Sequence, residues 1–386
     1  MTFKKTTLFI HRWLGLISGL VVLIVGLTGC ILAFREEVEA YTKPYLFAKV
    51  KSAPLLLPSA VEDQVKHLPG IIPDSIMLSS LQYPGPGHAL IVNYHIGKKQ
   101  SGQAYLDPYT GKALKFGKPG FDFFEFAEHG HRWLWFPFTI GRSIQSSFIL
   151  AFFVLLISGI ILWWPKRWTT RERRQSFTIE TQKGTKRLNY DLHNVLGFYM
   201  SLVALIIVIT GLCISLPWFQ GGIYWLTSGG KAAKPFKPAL SDTTIVNPTP
   251  LTTLRVDSLF RLHQHRYASA YYIWPATKKA ALLVLLNTDP EKDYKREFRY
   301  YDQYTLRDIS AQSSFYGTYD GSGMADKLRR MNVSIHMGTI GGVTTKIIAF
   351  LASLIAASLP VTGFIIWWGK RKKKKKSNNK KLIIKP

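Results

Sequence analysis

Four histidines stand just ahead of four long apolar runs. His11 precedes Leu14 to Phe34, His131 precedes Ile140 to Trp164, His193 precedes Val195 to Leu216, and His336 precedes Gly342 to Trp368. An imidazole beside a membrane-spanning helix is uncommon and marks a functional position. Paired neutral imidazoles from facing helices suit a haem that carries electrons without opening a coordination site. The two cysteines give no zinc spacing, and no CxxCH is present, so a haem here would be held by coordination alone. Gly15 and Gly197, four residues after His11 and His193, share their helical faces and are read as room for a porphyrin edge.

The elements that position these histidines occur twice. HRWLGL at 11–16 answers HNVLGF at 193–198, and each helix runs on to a Thr-Gly pair, Thr28-Gly29 and Thr210-Gly211. The runs after His131 and His336 carry Ser158-Gly159 and Thr362-Gly363 and end in Trp163-Trp164-Pro165-Lys166-Arg167 and Trp367-Trp368-Gly369-Lys370-Arg371. Between the spans, YLDPYTGKAL at 105–114 echoes YYDQYTLRDI at 300–309. Two crossings return a chain to its starting side, so the copies are parallel repeats. His11 then faces His193 as an inner pair, and His131 faces His336 as an outer pair.

Each run can cross a hydrocarbon core of about 30 Å. The formal charge of +27 does not point to nucleic acid, because Lys and Arg gather at span ends: Lys4, Lys5 and Arg12; Lys166, Arg167, Arg171, Arg173, Arg174, Lys183, Lys186 and Arg187; and Lys370 to Lys376. The positive-inside rule makes these places cytoplasmic, with the basic tail touching anionic membrane lipid. The expected protein is an α-helical membrane protein with four transmembrane helices, built as two parallel helix-domain-helix repeats with two extracytoplasmic α+β domains. The expected segments are a first transmembrane helix within 1–34, an extracytoplasmic domain 35–139, a second transmembrane helix 140–164 and a basic cytoplasmic loop 165–194. They continue with a third helix 195–216, a second extracytoplasmic domain 217–341, a fourth helix 342–368 and a basic cytoplasmic tail 369–386. Both termini are expected in the cytoplasm. Strands are expected at 76–81, 88–97, 267–276, 281–288 and 296–305, the segment 103–114 reads as a strand entering a turn at Asp107-Pro108-Tyr109-Thr110-Gly111, and 229–250 reads as a linker.

His129 competes with His131, but only His131 begins an HRWL like that of His11. His67, His88, His95, His263 and His265 lack ligand-like repeat partners and read as surface or structural. His263 and His265 alternate as on one strand face, a spacing that also suits a metal. Cys30 and Cys213 read as packing residues. Lys4, Lys5 and the run to Leu27-Thr28-Gly29-Cys30 also have the form of a lipoprotein signal. Cleavage there would discard His11, so the chain is read as uncleaved.

Taken together, HRWLGL running to LTGCILAFREE, DPYTG at 107–111, HRWL followed by SGIILWWPKR, DLHNVLGF at 191–198, and IHMGTIGG running to VTGFIIWWGKR are similar to the PepSY-associated transmembrane helix proteins. Some of these are iron-regulated inner-membrane reductases of ferric siderophores. The resemblance covers nearly the whole chain and makes the outer domains PepSY-like. It implies two haem b groups, on His11 and His193 and on His131 and His336, in a multi-pass protein of the cytoplasmic (inner) membrane. Such a protein takes electrons from a donor inside, a quinol or a cytoplasmic reductase, and reduces a ferric siderophore or other ferric chelate outside.

Trp133, Trp135, Phe136, Phe315, Tyr316, Tyr319, Arg329 and Arg330 are expected to form the docking surface, since aromatic rings and cations suit an anionic or aromatic chelate. No GxGxxG after a strand and no Walker loop is present, so nucleotide or flavin chemistry would belong to a partner. One rival is a haem-free PepSY-domain sensor, assembly factor or protease regulator. The other is a siderophore transporter, although the spans lack the central charges that mark a polar pathway.

Overall fold

The computed structural model describes residues 2–72, 75–97, 100–118, 120–165, 167–245 and 248–383, with side chains through Arg371. Lys166, the side chains of Lys372 to Lys376, and Val246 and Asn247 of the expected linker lie outside the described residues. The helices are α1 Phe3–Ala33, α2 Arg35–Thr42, α3 Pro58–Lys66, α4 Phe123–Trp133, α5 Phe138–Trp163, α6 Thr170–Phe177, α7 Thr185–Asp191, α8 Gly197–Ser215, α9 Pro217–Thr227, α10 Thr253–His263, α11 Met324–Met337 and α12 Gly342–Ile383. The strands are β1 Ile76–Tyr83, β2 Leu90–Ile96, β3 Gln100–Leu106, β4 Ala113–Gly117, β5 Ser269–Ile273, β6 Leu282–Asn287 and β7 Glu297–Tyr301.

Two compact units result, one of residues 1–35, 121–223 and 332–386, the other of 36–120 and 224–331. In the first unit four stretches are long and apolar enough to cross a membrane: Phe3–Ala33, Phe138–Trp163, Thr185–Ser215 and Thr339–Arg371. α1 packs against α5 and α12, and α8 packs against the same two, so α1 and α8 occupy opposite corners of the bundle. Small residues permit this approach. A Cβ on Gly26 would stand 2.8 Å from the Ala357 methyl, and one on Gly19 would stand 3.2 Å from Pro360. Close backbone packing of this kind holds helices together where lipid removes the hydrophobic drive. Val22, Phe152, Leu155, Val208 and Leu212 fill the interior, while Leu20, Leu202, Ile206, Leu351 and Phe364 face outward.

The helices differ from expectation at their starts. α1 begins at Phe3, so His11 lies within it instead of opening it. A π-helical turn, Leu192–Leu196, joins α7 to α8 and carries His193. His131 and His336 sit on the separate short helices α4 and α11. After α4 the chain turns through Leu134 and Trp135, both at positive φ. Such residues are strained unless held, and here the Trp135 indole donates to the Phe126 carbonyl at 2.9 Å and its ring stacks on Phe126.

In the second unit both segments between the spans enter one antiparallel sheet, ordered β4-β3-β2-β1-β5-β6-β7. The two expected α+β domains are thus one sheet domain. β1 and β5 join them, with Ser80 opposite Ile273 and Tyr83 opposite Ala270. The physical reason is that either set of strands alone would leave an edge of unpaired backbone groups and a thin core. Leu90, Val92 and Tyr94 of β2 alternate inward and share one core with Val61 and Val65 of α3 and Val256 and Phe260 of α10. Ser59 at the start of α3 donates from its backbone N–H and its hydroxyl to Asp257 of α10, at 2.9 and 2.5 Å. The expected linker is pinned at Ser241, whose N–H donates to the Lys279 carbonyl.

Candidate functional site

The bundle brings the four span-associated histidines together as two pairs. The rings of His11 and His193 lie 6.4 Å apart between centroids, and those of His131 and His336 lie 6.2 Å apart. All four are half-buried. The first pair lies toward the start of α1, and the second meets α1 near Val25 and Thr28, about 20–25 Å farther along at 1.5 Å per residue.

Each ring is gripped from behind by a hydroxyl-glycine dipeptide on a neighbouring helix. His11 Nδ1 lies 2.8 Å from Ser158 Oγ, and His193 Nδ1 lies 2.9 Å from Thr362 Oγ1. His131 Nδ1 reaches the Val25 carbonyl at 2.9 Å and Thr28 Oγ1 at 3.3 Å. His336 Nδ1 reaches the Ile207 carbonyl at 3.0 Å and Thr210 Oγ1 at 3.1 Å. The glycine of each dipeptide leaves room for the ring edge. A Cβ on Gly159, Gly363, Gly29 or Gly211 would stand 3.5, 3.1, 3.2 or 2.9 Å from the Cε1 of His11, His193, His131 or His336 respectively.

These contacts fix the tautomer. Ser158 and Thr362 give their hydroxyl protons to their own helix, to the carbonyls of Leu155 and of Ser358 and Leu359. Thr28 and Thr210 donate likewise to the Ile24 and Ile206 carbonyls. A hydroxyl has one proton, and a carbonyl has none, so every one of these oxygens accepts from Nδ1–H. Each neutral imidazole therefore keeps its free lone pair on Nε2.

That donor set fits a metal held between two rings. Two imidazole nitrogens about 2 Å on either side of one ion put the ring centroids about 6 Å apart, which matches both pairs. Among the described residues, no three of His, Cys, Asp and Glu group to hold a metal ion. Two donors per site is what each pair offers, as at the iron of a bis-histidine haem.

Residues 8–370 match the family model described as PepSY-associated TM region. The chain belongs to this family. Comparison with curated proteins gives no match. As a member of the PepSY-associated TM region family with four spanning helices, the chain is a multi-pass membrane protein.

Other expected residues of this PepSY-associated chain take different places. His129 lies among the rings of Phe121 and Trp133 instead of opposite another imidazole. A Cβ on Gly15 would stand 3.8 Å from Leu155, and one on Gly197 would stand 3.4 Å from Leu359. Of the docking candidates, Trp133, Trp135 and Phe136 belong to the helical unit, whereas Phe315, Tyr316, Tyr319, Arg329 and Arg330 belong to the sheet unit. Trp135 and Phe136 are exposed, as is Tyr316. Arg330 is committed internally: it donates to the carbonyls of Arg296, Tyr316 and Gly317 and lies over Phe298 and Phe315. Arg329 lies over Phe315, and the Tyr319 hydroxyl meets Met331 Sδ.

His263 ends α10 and is buried, bonded through Nε2 to the Tyr301 hydroxyl at 3.0 Å, while His265 lies past the helix end and is exposed. They do not share a strand face. Burial, and then the nearby Arg299 cation, push the His263 pKa down to about 4.

Two residues that support the site escaped the reading of the sequence. Asn189 donates to the Thr362 carbonyl at 3.0 Å, and Asn332 donates to the Thr210 carbonyl at 3.1 Å. Each stands four residues before a histidine, so Asn and His grip the same threonine from adjacent turns. The repeated Asn-x-x-x-His spacing, 189 to 193 and 332 to 336, was the available signal. Arg142 adds a clamp at the end of α8, with two donors on the Ser215 carbonyl at 3.0 and 2.8 Å. A cation there satisfies the orphan acceptors of a helix C-terminus.

Proposed function

We propose that this chain is a di-haem b-type transmembrane electron-transfer protein that reduces an extracytoplasmic ferric chelate, of the ferric siderophore class, and so releases ferrous iron. The observation that carries this reading is the pair of facing imidazole couples at 6.4 and 6.2 Å, each ring with Nδ1 anchored and Nε2 free for iron. His11 and His193 would hold the inner haem, and His131 and His336 the outer one. When bound, haem supplies reversible one-electron chemistry.

The protein's own residues align and shield those groups. The hydroxyl-glycine dipeptides orient the rings, and the apolar interior of the bundle excludes water. Basic span ends at Lys4, Lys5, Arg12, Arg171, Arg173, Arg174, Lys183, Lys186 and Arg187 support a cytoplasmic placement of both termini and the second loop. The sheet domain then stands on the far side of the membrane. The sequence repeat supports two parallel copies about an axis along the membrane normal, their outer segments joined in one sheet. Electrons enter from a quinol or a cytoplasmic reductase, and one electron converts each ferric centre of the chelate to ferrous iron.

The test is a reduced-minus-oxidised spectrum and haem stoichiometry of the purified protein, followed by ferric chelate reduction in vesicles. Two b-type haems and chelate-dependent reoxidation are expected. Absence of b-type bands sinks the reading in favour of a haem-free PepSY-domain role, and uptake of intact labelled chelate without iron reduction sinks it in favour of a transporter.

A further inference from the structure

The four imidazoles differ in what receives their Nδ1–H. At His131 and His336 the shortest bond goes to a main-chain carbonyl, Val25 or Ile207, and the threonine hydroxyl is the longer partner. At His11 and His193 the bonded acceptor is the hydroxyl of Ser158 or Thr362. The carbonyls of Leu155 and Leu359, three residues before those hydroxyls, lie beside the same rings. The same dipeptide thus leads the contact at one pair and seconds it at the other.

Resting on the two-haem reading, we propose that Ser158 and Thr362 are positioning residues that set the reduction potential of the inner haem, whereas Thr28 and Thr210 do not set that of the outer one. An acceptor for Nδ1–H makes the imidazole a stronger electron donor through Nε2. Stronger donation favours ferric over ferrous iron, so losing the acceptor raises the potential. Loss of Thr28 or Thr210 leaves the shorter carbonyl bond in place. At the inner pair the hydroxyl is the short partner, at 2.8 and 2.9 Å, and the Leu155 and Leu359 carbonyls are the secondary acceptors.

The experiment uses the full chain in lipid nanodiscs and reads haem stoichiometry together with a spectroelectrochemical titration. The His11→Ala variant identifies the inner wave. The paired substitutions Ser158→Ala and Thr362→Val are expected to raise the inner ferrous-to-ferric ratio about tenfold at fixed ambient potential. That is about 59 mV for a one-electron couple. Thr28→Val with Thr210→Val, which keeps the Val25 and Ile207 carbonyl bonds, is expected to shift the outer wave by clearly less than the inner shift, and the hydroxyl-keeping swaps Ser158→Thr and Thr362→Ser are expected to restore the inner potential.

If the double variant sheds the inner haem, the single variants Ser158→Ala and Thr362→Val carry the same test, each with a smaller rise. An unchanged inner potential with both haems bound overturns the proposal, because the Leu155 and Leu359 carbonyls then suffice. A wild-type protein without haem overturns the functional reading itself, an outcome distinct from the first.

Discussion

His131 and His336 come from short helices ahead of different spans, yet their rings meet at 6.2 Å, each held by a carbonyl and a hydroxyl three residues apart on a neighbouring helix. The His11 and His193 pair lies elsewhere along the bundle and shares no ring contact with them. Under the two-haem reading, the sites should fail independently. His336→Ala is expected to lower haem content from two to one per chain and leave the inner wave intact, and His11→Ala is expected to do the converse. Pyridine haemochrome assay with redox titration checks this, and equal loss of both haems from either variant would count against two separate sites.

The glycine cradles should respond to a methyl group according to the space they have. A Cβ on Gly211 would stand 2.9 Å from His336 Cε1, closer than side chains tolerate without movement, while one on Gly159 would stand 3.5 Å from His11 Cε1, an ordinary contact. Gly211→Ala is therefore expected to tilt the His336 ring and weaken retention of the outer haem about tenfold or more. Gly159→Ala is expected to leave the inner haem in place. Low-temperature EPR of the ferric protein reads ring orientation at each site, and identical spectra for Gly211→Ala and wild type would refute the cradle.

The spans, and the pairing of His11 with His193 and His131 with His336, were legible because apolar length and repeat spacing are local features of a chain. The joining of the outer segments into one sheet was not, since nothing within Leu81 or Tyr272 specifies that β1 and β5 pair across distant sequence. The helix break at Leu134 and Trp135 was hidden for another reason. Neither residue is a usual marker of positive φ, and the turn rests on where the Trp135 indole finds a carbonyl. Ser158-Gly159 and its counterparts were visible as repeat marks, but their role at the rings depends on how two helices are aligned against each other.

The sheet domain should weaken in mild acid through His263. Burial, then Arg299, lowers its pKa to about 4, with Arg266 opposing the proton and Glu297 and Asp308 favouring it. The unfolded chain takes up the proton below about 6.5, while the folded chain resists until about 4. Stability is thus fully present above the unfolded value and is lost as pH falls through this window, by up to about 3 kcal/mol. Urea unfolding of the full chain, followed by sheet-domain fluorescence between pH 7 and 4, is expected to show this slope. His263→Phe should flatten it, and an equal slope in that variant would assign the effect to other groups.

Asp302 and Asp107 occupy equivalent places in the repeated turn but carry different loads. Asp302 is buried, and accepts from the N–H groups of Tyr304 and Thr305 through Oδ1 and of Asp242 through Oδ2. Asp107 caps Tyr109 and Thr110 and pairs with the partly exposed Lys51. Asp302→Ala leaves three partly buried backbone donors unmet at once and is expected to cost about 2 kcal/mol. Asp107→Ala is expected to cost less, because water can replace the carboxylate at its more open turn. Chemical denaturation of the two variants measures the order, and equal losses would contradict it.

Asn189 and Asn332 make the second half of the chain the more firmly braced one. Each bonds the carbonyl of the threonine whose hydroxyl faces the histidine one turn later. The corresponding positions before His11 and His131 are Thr7 and Ala127, and Thr7 donates to its own helix at Phe3. The crossing of α11 over α8 thus depends on Asn332 in a way that the crossing of α4 over α1 does not depend on Ala127. Under the two-haem reading, Asn332→Ala is expected to speed outer-haem loss about tenfold, and Asn189→Ala to do the same at the inner site. Ala127→Ser should change neither. Haem transfer to excess apomyoglobin, followed by absorbance, gives these rates. If Asn332→Ala released both haems at the same faster rate, the asparagine would be supporting the whole bundle and not one histidine.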